Sequence, residues 1–161
     1  MIILGIDPGT ATVGFGLVKK DGGDFLCLDF GVILTSPKDS PSERLDQIFK
    51  KMKTLCKETN PDLVVIEKLY FFKNLKTAIP VAQAKGVILL ALQQNKHKII
   101  ELTPLEVKMG ICGYGRAEKQ QVQKMVKETL KLAEIPKPDD AADALALAIC
   151  GALKTGCGQA L

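Results

Sequence analysis

The sequence is poor in the residues from which zinc sites and disulfide frameworks are built. It has one histidine, His97, and its five cysteines include no Cys-x-x-Cys pair. A zinc site needs several Cys or His ligands at short spacings, so none is expected. An odd number of cysteines, most of them within or beside apolar segments, indicates reduced thiols packed in a core. We therefore expect an intracellular, cytoplasmic protein.

Long apolar runs and low-complexity segments are also missing. The longest apolar run, 86–92, is too short to span a bilayer, and the N-terminus has the pattern of a strand rather than of a signal peptide. Hydrophobic residues make up 47% and charged residues 25% of the chain, as in ordinary folded proteins. We expect a single domain over residues 1–161, with about the last eight residues forming a flexible tail.

Arginine is scarce, since only Arg44 and Arg116 occur among the 22 basic residues. Lysine therefore supplies nearly all of the positive charge behind a net charge of +4. A mildly basic surface suits a polyanionic partner, but an excess of lysine is as often a matter of solubility. The net charge alone does not identify a partner.

Short apolar runs separated by turn residues predict an α/β protein. The predicted strands are 2–7, 12–19, 25–34, 63–67 and 98–101. The predicted helices run from the capping box at Ser40 to Asn60, over 74–94, briefly from Thr103, over 118–133 and over 140–153, with a glycine-rich loop at 110–115. Three antiparallel strands followed by a parallel crossover give a five-stranded mixed sheet flanked by helices. This order matches the ribonuclease H-like layout.

Four acids stand at the ends of these predicted elements. Asp7 and Glu67 end two strands that are neighbours in this layout, and Asp140 and Asp143 share one face of the last helix. A buried acid is costly unless it is paired or binds a cation. Carboxylate oxygens select hard cations such as Mg²⁺ or Mn²⁺. Two such ions about 3.5–4 Å apart would support the in-line cleavage of a phosphodiester.

Each acid also has a simpler structural role open to it. Asp7 begins a Pro-Gly turn, which Asp favours, and Glu67 stands beside Lys68. Asp139 and Asp140 occupy positions where acids cap a helix. Asp143, one turn further into the helix and between alanines, has no comparably simple role. The combination of all four is what favours a metal-dependent site.

Five strings of residues match one family in order along the chain. They are Ile3–Thr10, Ile66–Glu67, Gln83–Gly86, Gly113–Lys119 and Asp140–Ala146. With these strings the chain resembles the RuvC family of bacterial Holliday junction resolvases from residue 2 to about residue 153. The resemblance implies a ribonuclease H-like homodimer acting in recombination and repair. It also implies a crossover junction endodeoxyribonuclease that makes paired, symmetric, Mg²⁺-dependent nicks, leaving 5′-phosphates and 3′-hydroxyls.

The resemblance also assigns roles to residues. The catalytic acids, which would hold two Mg²⁺ ions with Asp7 between them, are Asp7, Glu67, Asp140 and Asp143. It favours Asp140 over Asp139, which is then a helix cap. The residues that would contact DNA are Tyr70, Phe72, Lys73, Asn74, Lys108, Arg116 and Lys119. Without the resemblance, solvated helix lysines would be the favoured explanation of Lys108 and Lys119, and two of the three aromatic rings at 70–72, Phe71 above all, would be explained by core packing.

Partners follow from the same resemblance. The substrate would be four-way junction DNA, and the RuvA–RuvB branch-migration complex would be a further partner. Helix 74–94 carries small residues on several sides, so it is a candidate dimer interface or a helix packed closely on its own sheet. A nearly two-fold symmetric junction cut twice needs two symmetric active sites, which favours the dimer.

Three other functions remain open from the sequence. A ribonuclease H-like nuclease of the YqgF family, linked to ribosomal RNA processing, shares an early Asp, a middle Glu and a late Asp. An actin-like phosphotransferase shares the Asp-x-Gly-Thr turn after a strand, but that fold needs a second such domain. A junction-binding module without catalysis is disfavoured because all four acids are present.

Overall fold

A computed structural model of the chain describes residues 1–69 and 75–156, with side chains for 1–69 and 78–155. The predicted DNA contacts at Tyr70, Phe72, Lys73 and Asn74 lie outside this range. The strands are β1 (Ile2–Asp7), β2 (Thr12–Asp21), β3 (Asp24–Leu34), β4 (Leu63–Glu67) and β5 (Ile99–Leu102). The helices are α1 (Pro41–Thr59), α2 (Leu75–Gln94), α3 (Pro104–Cys112), α4 (Lys119–Thr129) and α5 (Asp139–Gly156).

The five strands form one mixed sheet in the order β3-β2-β1-β4-β5. β1, β2 and β3 are antiparallel, because tight turns join them, whereas β4 and β5 run parallel to β1 after helical crossovers. The central strands β1 and β4 are apolar up to their last residues, Asp7 and Glu67, as expected for strands covered on both faces. The predicted five-stranded α/β architecture is confirmed.

The helices begin within one residue of the predicted starts, but three predicted ends are wrong, and α5 continues to Gly156 instead of 153. α1 starts with the capping box of Ser40 and Glu43, and Asn60 ends it in the left-handed conformation. α3 continues to Cys112, so the first half of the predicted 110–115 loop is helical. α4 stops at Thr129 instead of 133, because the chain turns at Lys131, which has a positive φ.

Two apolar layers cover the two faces of the sheet. On one face α1 and α2 bury large side chains, among them Ile48, Met52 and Leu92. On the other face α5 lies against β1 and β2, and α3 and α4 pack outside it. No helix within the described residues is both long and apolar enough to cross a membrane.

The helix α5 approaches the sheet so closely that backbone meets backbone. Gly5 and Gly16 are register partners on β1 and β2, and an added Cβ on Gly5 would collide with the carbonyl oxygen of Ala144. On Gly16 it would come within 2.7 Å of the Leu145 nitrogen. Glycine is therefore required at these positions by the close packing of α5, which also decides where the first turns of that helix lie.

Candidate active site

Two of the four predicted acids come together at the carboxyl end of the central strands. β1 and β4 are parallel with Ile6 opposite Ile66, so Asp7 and Glu67 follow side by side. Alternation along each strand turns both side chains toward the face covered by α5, because the preceding Ile6 and Ile66 belong to the opposite apolar layer. Both acids are partly buried.

The helix α5 brings Asp140 and Asp143 to the same end of the sheet. Gly14 is the register partner of Asp7, and an added Cβ on Gly14 would collide with the carbonyl oxygen of Asp140. The absence of a side chain at Gly14 thus lets the first turn of α5 lie directly beside Asp7. Asp143, one turn later, shares that face of the helix and is partly buried.

Asp7 has the most perturbed acidity of the four. Burial, the largest cause, and the nearby charges of Glu67, Asp143 and Asp140 together raise its pKa to about 8 from an ordinary value of 3.8, against a smaller opposing effect of Lys119. No hydrogen bond from the following turn stabilises its charge. The predicted alternative that Asp7 serves mainly to start a Pro-Gly turn therefore has no support in the described hydrogen bonds.

Glu67 and Asp143 are shifted in the same direction. Burial is the first cause for both, and the charge of Asp143 adds to the rise in the pKa of Glu67. Within the described part of the chain, Glu67 forms no salt bridge with Lys68 or with another lysine. Like charges held together in a partly dry site are unfavourable for the folded protein unless a cation or protons neutralise them.

The side chain of Lys119 forms salt bridges at the acidic site. Its ammonium lies 2.9 Å from the Asp143 carboxylate and 3.3 Å from that of Asp139. Burial lowers the pKa of Lys119, but the hydrogen bonds and charges of Asp143 and Asp139 outweigh it, so the pKa is raised. Lys119 is the first residue of α4, where a basic residue opposes the helix dipole, and these acids offset that cost.

Asp139 differs from Asp143 in its exposure and in the direction of its pKa shift, although both contact Lys119. It is exposed, and its carboxylate accepts hydrogen bonds from Lys119 and from the Gln123 amide at 3.0 Å, which lower its pKa. The sequence predicted that Asp139 caps α5. The hydrogen bonds of the described residues show its carboxylate bridging α4 and α5. The backbone nitrogens of Ala141 and Ala142 donate to the carbonyl oxygen of Pro138 instead.

A buried lysine behind Glu67 was not predicted from the sequence. Lys85 of α2 is only 8% exposed, and its ammonium lies 2.6 Å from Glu101 on β5. Its positive charge acts against the rise in the pKa of Glu67. The only sequence signal was a lysine in the middle of a mostly apolar helix, within a string that carried no role of its own.

An open cleft of about 280 Å³ adjoins the acids. Glu67 and Asp143 line it on one side, and Lys108 and Lys119 lie on its wall. Two of the three lysines predicted to contact DNA, Lys108 and Lys119, therefore lie at the acidic site. Arg116 is exposed in the connection between α3 and α4 and does not line this cleft.

The donor set suits a hard divalent cation. All four acids supply oxygen only, and their mutual repulsion would be relieved by positive charge. Among the described residues, no three acidic, His or Cys side chains already converge closely enough to hold one ion. Asp143 uses its Oδ2 for the salt bridge with Lys119, so its other oxygen could ligate a metal.

Comparison with known proteins gives one consistent family. A family model described as "Crossover junction endodeoxyribonuclease RuvC" matches residues 3–151. The chain is 51% identical over 150 residues to the protein of that name from Natranaerobius thermophilus, covering 93% of each chain. It is 54% identical to that of Halothermothrix orenii, over 93% of this chain and 91% of the relative.

A solved structure extends the likeness to the fold. It is described as Thermus thermophilus RuvC in complex with Holliday junction substrate, and it superposes with a TM-score of 0.90 at 30% identity. The match covers 98% of this chain and 97% of that one. The ribonuclease H-like architecture predicted from the order of strands and helices is that of this structure.

Proposed function

The chain belongs to the RuvC family of crossover junction endodeoxyribonucleases, and from that membership we propose that it resolves Holliday junctions in recombination and repair. It binds four-way junction DNA and nicks two strands symmetrically, leaving 5′-phosphates and 3′-hydroxyls. The observation that carries this proposal is the meeting of Asp7, Glu67, Asp140 and Asp143 beside a cleft with basic walls. Family membership over residues 3–151 restricts the substrate from any phosphodiester to a junction.

Membership in this nuclease family implies a divalent metal cofactor. We propose that it is Mg²⁺, with Mn²⁺ as a possible substitute, and that the four acids hold two ions per site. Bound there, the ions would activate a water and stabilise the oxygen that leaves the phosphorus. The chain's own part is to hold four carboxylates in a partly dry site where no hydrogen bond from the residues that the structure describes competes at Asp7. That arrangement supports tight cation binding, because without a cation the carboxylates repel one another.

The basic residues around the site would bind the DNA backbone. Lys108 and Lys119 line the cleft beside Glu67 and Asp143, which supports contacts with phosphates next to the cut. Arg116 is exposed nearby in sequence and would contact the backbone further out. Lys73 and Asn74, and stacking of Tyr70 and Phe72 on unpaired bases, remain predictions from the resemblance.

A homodimer would place two such sites on one junction. Helix α2 supports this proposal because it leaves Ile79 and Leu90 exposed by 65% and 53%, on a helix whose other side covers the sheet. Exposed large apolar side chains of this kind are common where a second subunit binds. Docking of the RuvA–RuvB complex remains an expectation from the resemblance.

A cleavage assay tests the proposal directly. The purified chain is incubated with a mobile four-way junction, a fixed junction and a linear duplex of the same sequence, with Mg²⁺ or with EDTA. We expect paired nicks in the junctions with Mg²⁺ only, and products that DNA ligase can reseal. Equal cleavage of the linear duplex would contradict a junction resolvase. Cleavage of structured ribosomal RNA in preference to the junction would instead favour the YqgF-like alternative, which the matched family model does not support.

A further inference from the structure

Two surface hollows adjoin the four acids, and they share no lining residue. Glu67 and Asp143 line the cleft with the lysines. Asp140 lines a second groove of about 360 Å³ on the other side, between the turn after β1 and Pro80–Val81 of α2. A strand cut in its interior continues on both sides of the scissile phosphate. The second groove lies next to Asp140 and is wide enough to be considered for the other half of such a strand.

This groove continues away from Asp140 toward an arginine. A further hollow of about 180 Å³ shares Thr10 and Pro80 with the groove and reaches Arg44 and Gln83. Pro41, the first residue of α1, lies at its rim. The two hollows adjoin at Thr10 and Pro80, and their linings together extend from Asp140 to Arg44.

Arg44 is held in place by hydrogen bonds that use one of its donors. Its Nε donates to the Thr35 hydroxyl at 2.8 Å, and this hydroxyl donates to the carbonyl oxygen of Thr10 at 2.6 Å. Thr35 is buried, so this chain of bonds ties the arginine to the turn that follows Asp7. The four N–H groups on the two terminal nitrogens are not used by these bonds.

The charge of Arg44 is also not neutralised by the described part of the protein. The salt bridges among residues 1–69 and 78–155 do not include it. A guanidinium with its terminal nitrogens available matches the geometry of a phosphate group better than a lysine would. Arg44 is one of only two arginines in a chain whose other basic residues are lysines.

We propose that Arg44, at the end of the groove that leads away from Asp140, binds a backbone phosphate of the strand that is cut. This inference rests on the proposed function, since it needs a nucleic-acid strand in the acidic site. It gives the strand two anchors, with Lys108 and Lys119 on one side of the cut and Arg44 on the other. The competing explanation is that Arg44 only fastens α1 to Thr35.

A set of three variants separates these explanations by binding measured in EDTA, where no metal supports nicking. Arg44→Gln and Arg44→Lys both lose the bond to Thr35, but only Arg44→Lys keeps the charge. Lys50→Gln removes the same charge from an exposed residue of α1 that is paired with Asp46. We expect Arg44→Gln to weaken junction binding about tenfold and to reduce the slope of log K against log salt by about one.

The other two variants should keep the wild-type salt slope. Arg44→Lys should also retain most of the affinity, because a lysine still contacts phosphate as a point charge. If Arg44→Lys and Arg44→Gln lose affinity equally with an unchanged slope, Arg44 is only a structural tie and the inference is wrong. An equal loss of slope in Lys50→Gln would show a general charge effect and would also overturn it.

Neutral phosphates locate the contact. Single methylphosphonates are placed at successive positions on both sides of the cut, and binding is measured for the wild type and for Arg44→Gln. We expect one position, on the side opposite that of Lys119, where the neutral linkage weakens the wild type but not the variant. Additive losses at every position would contradict the contact. A wild type that binds junction and linear duplex equally would instead contradict the proposed function, whereas the coupling with Arg44 can be measured on either DNA.

Discussion

The acids of this chain behave in opposite ways in two regions of the molecule. At the starts of α1 and α3, Glu43 and Glu106 complete capping boxes with Ser40 and Thr103. A hydrogen bond from Lys154, followed by those from Thr103, lowers the pKa of Glu106 to about 2, and Ser40 lowers that of Glu43. At the end of the sheet, burial and mutual repulsion raise the pKa of Asp7 to about 8.

The two regions thus differ in the effect of charge: ionised acids at the helix starts stabilise the folded state, and ionised acids at the end of the sheet destabilise it. A capping acid is exposed and bonded, so its charge favours the folded state. The acids at the sheet end are partly buried and repel one another, so their charges favour unfolding until protons or a cation neutralise them. Asp139, exposed and bonded, belongs with the first group although it stands next to Asp140.

Neutralising one acid in each region should give the largest contrast in nicking and in stability. Asp7→Asn keeps the size of the side chain and removes its charge, so we expect nicking to fall by at least about a thousandfold, or ~4 kcal/mol of transition-state stabilisation. The same change should raise the free energy of unfolding in EDTA at pH 7.5 by on the order of a few kcal/mol. Junction nicking and urea unfolding provide the two measurements.

Glu106→Gln is the matched control for Asp7→Asn. It should leave nicking within about twofold and lower stability by roughly 1 kcal/mol, the usual contribution of a helix cap. An Asp7→Asn protein that still nicks at the wild-type rate, or that is less stable than the wild type without metal, would contradict the division into two regions.

The pH dependence of stability should show both regions in one experiment. The folded-state pKa of Asp7, about 8, lies above its ordinary 3.8, so the folded protein binds the extra proton and loses stability as the pH rises from about 4 to about 8. In EDTA we expect a loss of up to about 4 kcal/mol between pH 5 and pH 8. Glu67 and Asp143 act in the same direction.

Glu106 has the opposite sign. Its folded-state pKa of about 2 lies below its ordinary 4.5, so its stabilisation is present above about pH 4.5 and is lost as the pH falls toward 2. Saturating Mg²⁺ should flatten the loss between pH 5 and pH 8 and leave the acid limb unchanged. A stability that is flat over that range in EDTA would argue against strained acids at the sheet end.

The close packing of α5 on the sheet keeps the acids together although their charges repel one another. Gly14→Ala would force the Asp140 turn away from Asp7, because the added methyl group meets helix backbone. We expect a loss of about 2–3 kcal/mol in stability and about a hundredfold in nicking. Differential scanning calorimetry and the junction assay would measure these losses.

The control for Gly14→Ala is the same substitution on α2. An added Cβ on Gly86 meets no atom within 4 Å, so Gly86→Ala should stabilise the subunit by about 0.5–1 kcal/mol through helix propensity. Wild-type nicking by a stable Gly14→Ala protein would show that the contact of α5 with the sheet does not position the acids. A loss of the dimer in Gly86→Ala would be a separate result bearing on the proposed interface.

These features differ in how far the sequence predicts them. The strands, the capping box at Ser40 and the parallel crossover follow from local periodicity and turn residues, and the structure confirms them. The proximity of Asp7 and Glu67 follows from the topology, because parallel neighbours end at the same edge. The fit of Gly14 against Asp140 and the pair of Lys85 with Glu101 depend on how distant elements pack, which no local pattern encodes.

The distinction between local pattern and distant packing also explains the wrong predictions at the ends of α3 and α4. The apolar period of α4 continues beyond Thr129, but the chain turns at Lys131 so that Leu130 is buried. The glycine at 110 looks like a loop residue in sequence. In the structure it lies inside α3, where an added Cβ would come within 2.7 Å of the Cys150 sulfur, so its small size is needed for packing against α5.

The smallest expected effect belongs to the salt bridge that helps to hold Glu106. Lys154, near the end of α5, donates to the Glu106 carboxylate at 2.6 Å, but both side chains are about two-fifths exposed. We expect Lys154→Gln to cost only a few tenths of a kcal/mol, because exposed ion pairs and charges at helix ends contribute little. The pKa of Glu106, followed by NMR titration of its carboxyl carbon, should nevertheless rise, since this lysine is the first cause of its low value. It should stay below the ordinary 4.5, because the capping bonds from Thr103 remain. A pKa that does not move on this substitution would mean that the cap alone holds the charge, and the acids at helix starts would then owe their low pKa to local backbone bonds rather than to basic neighbours.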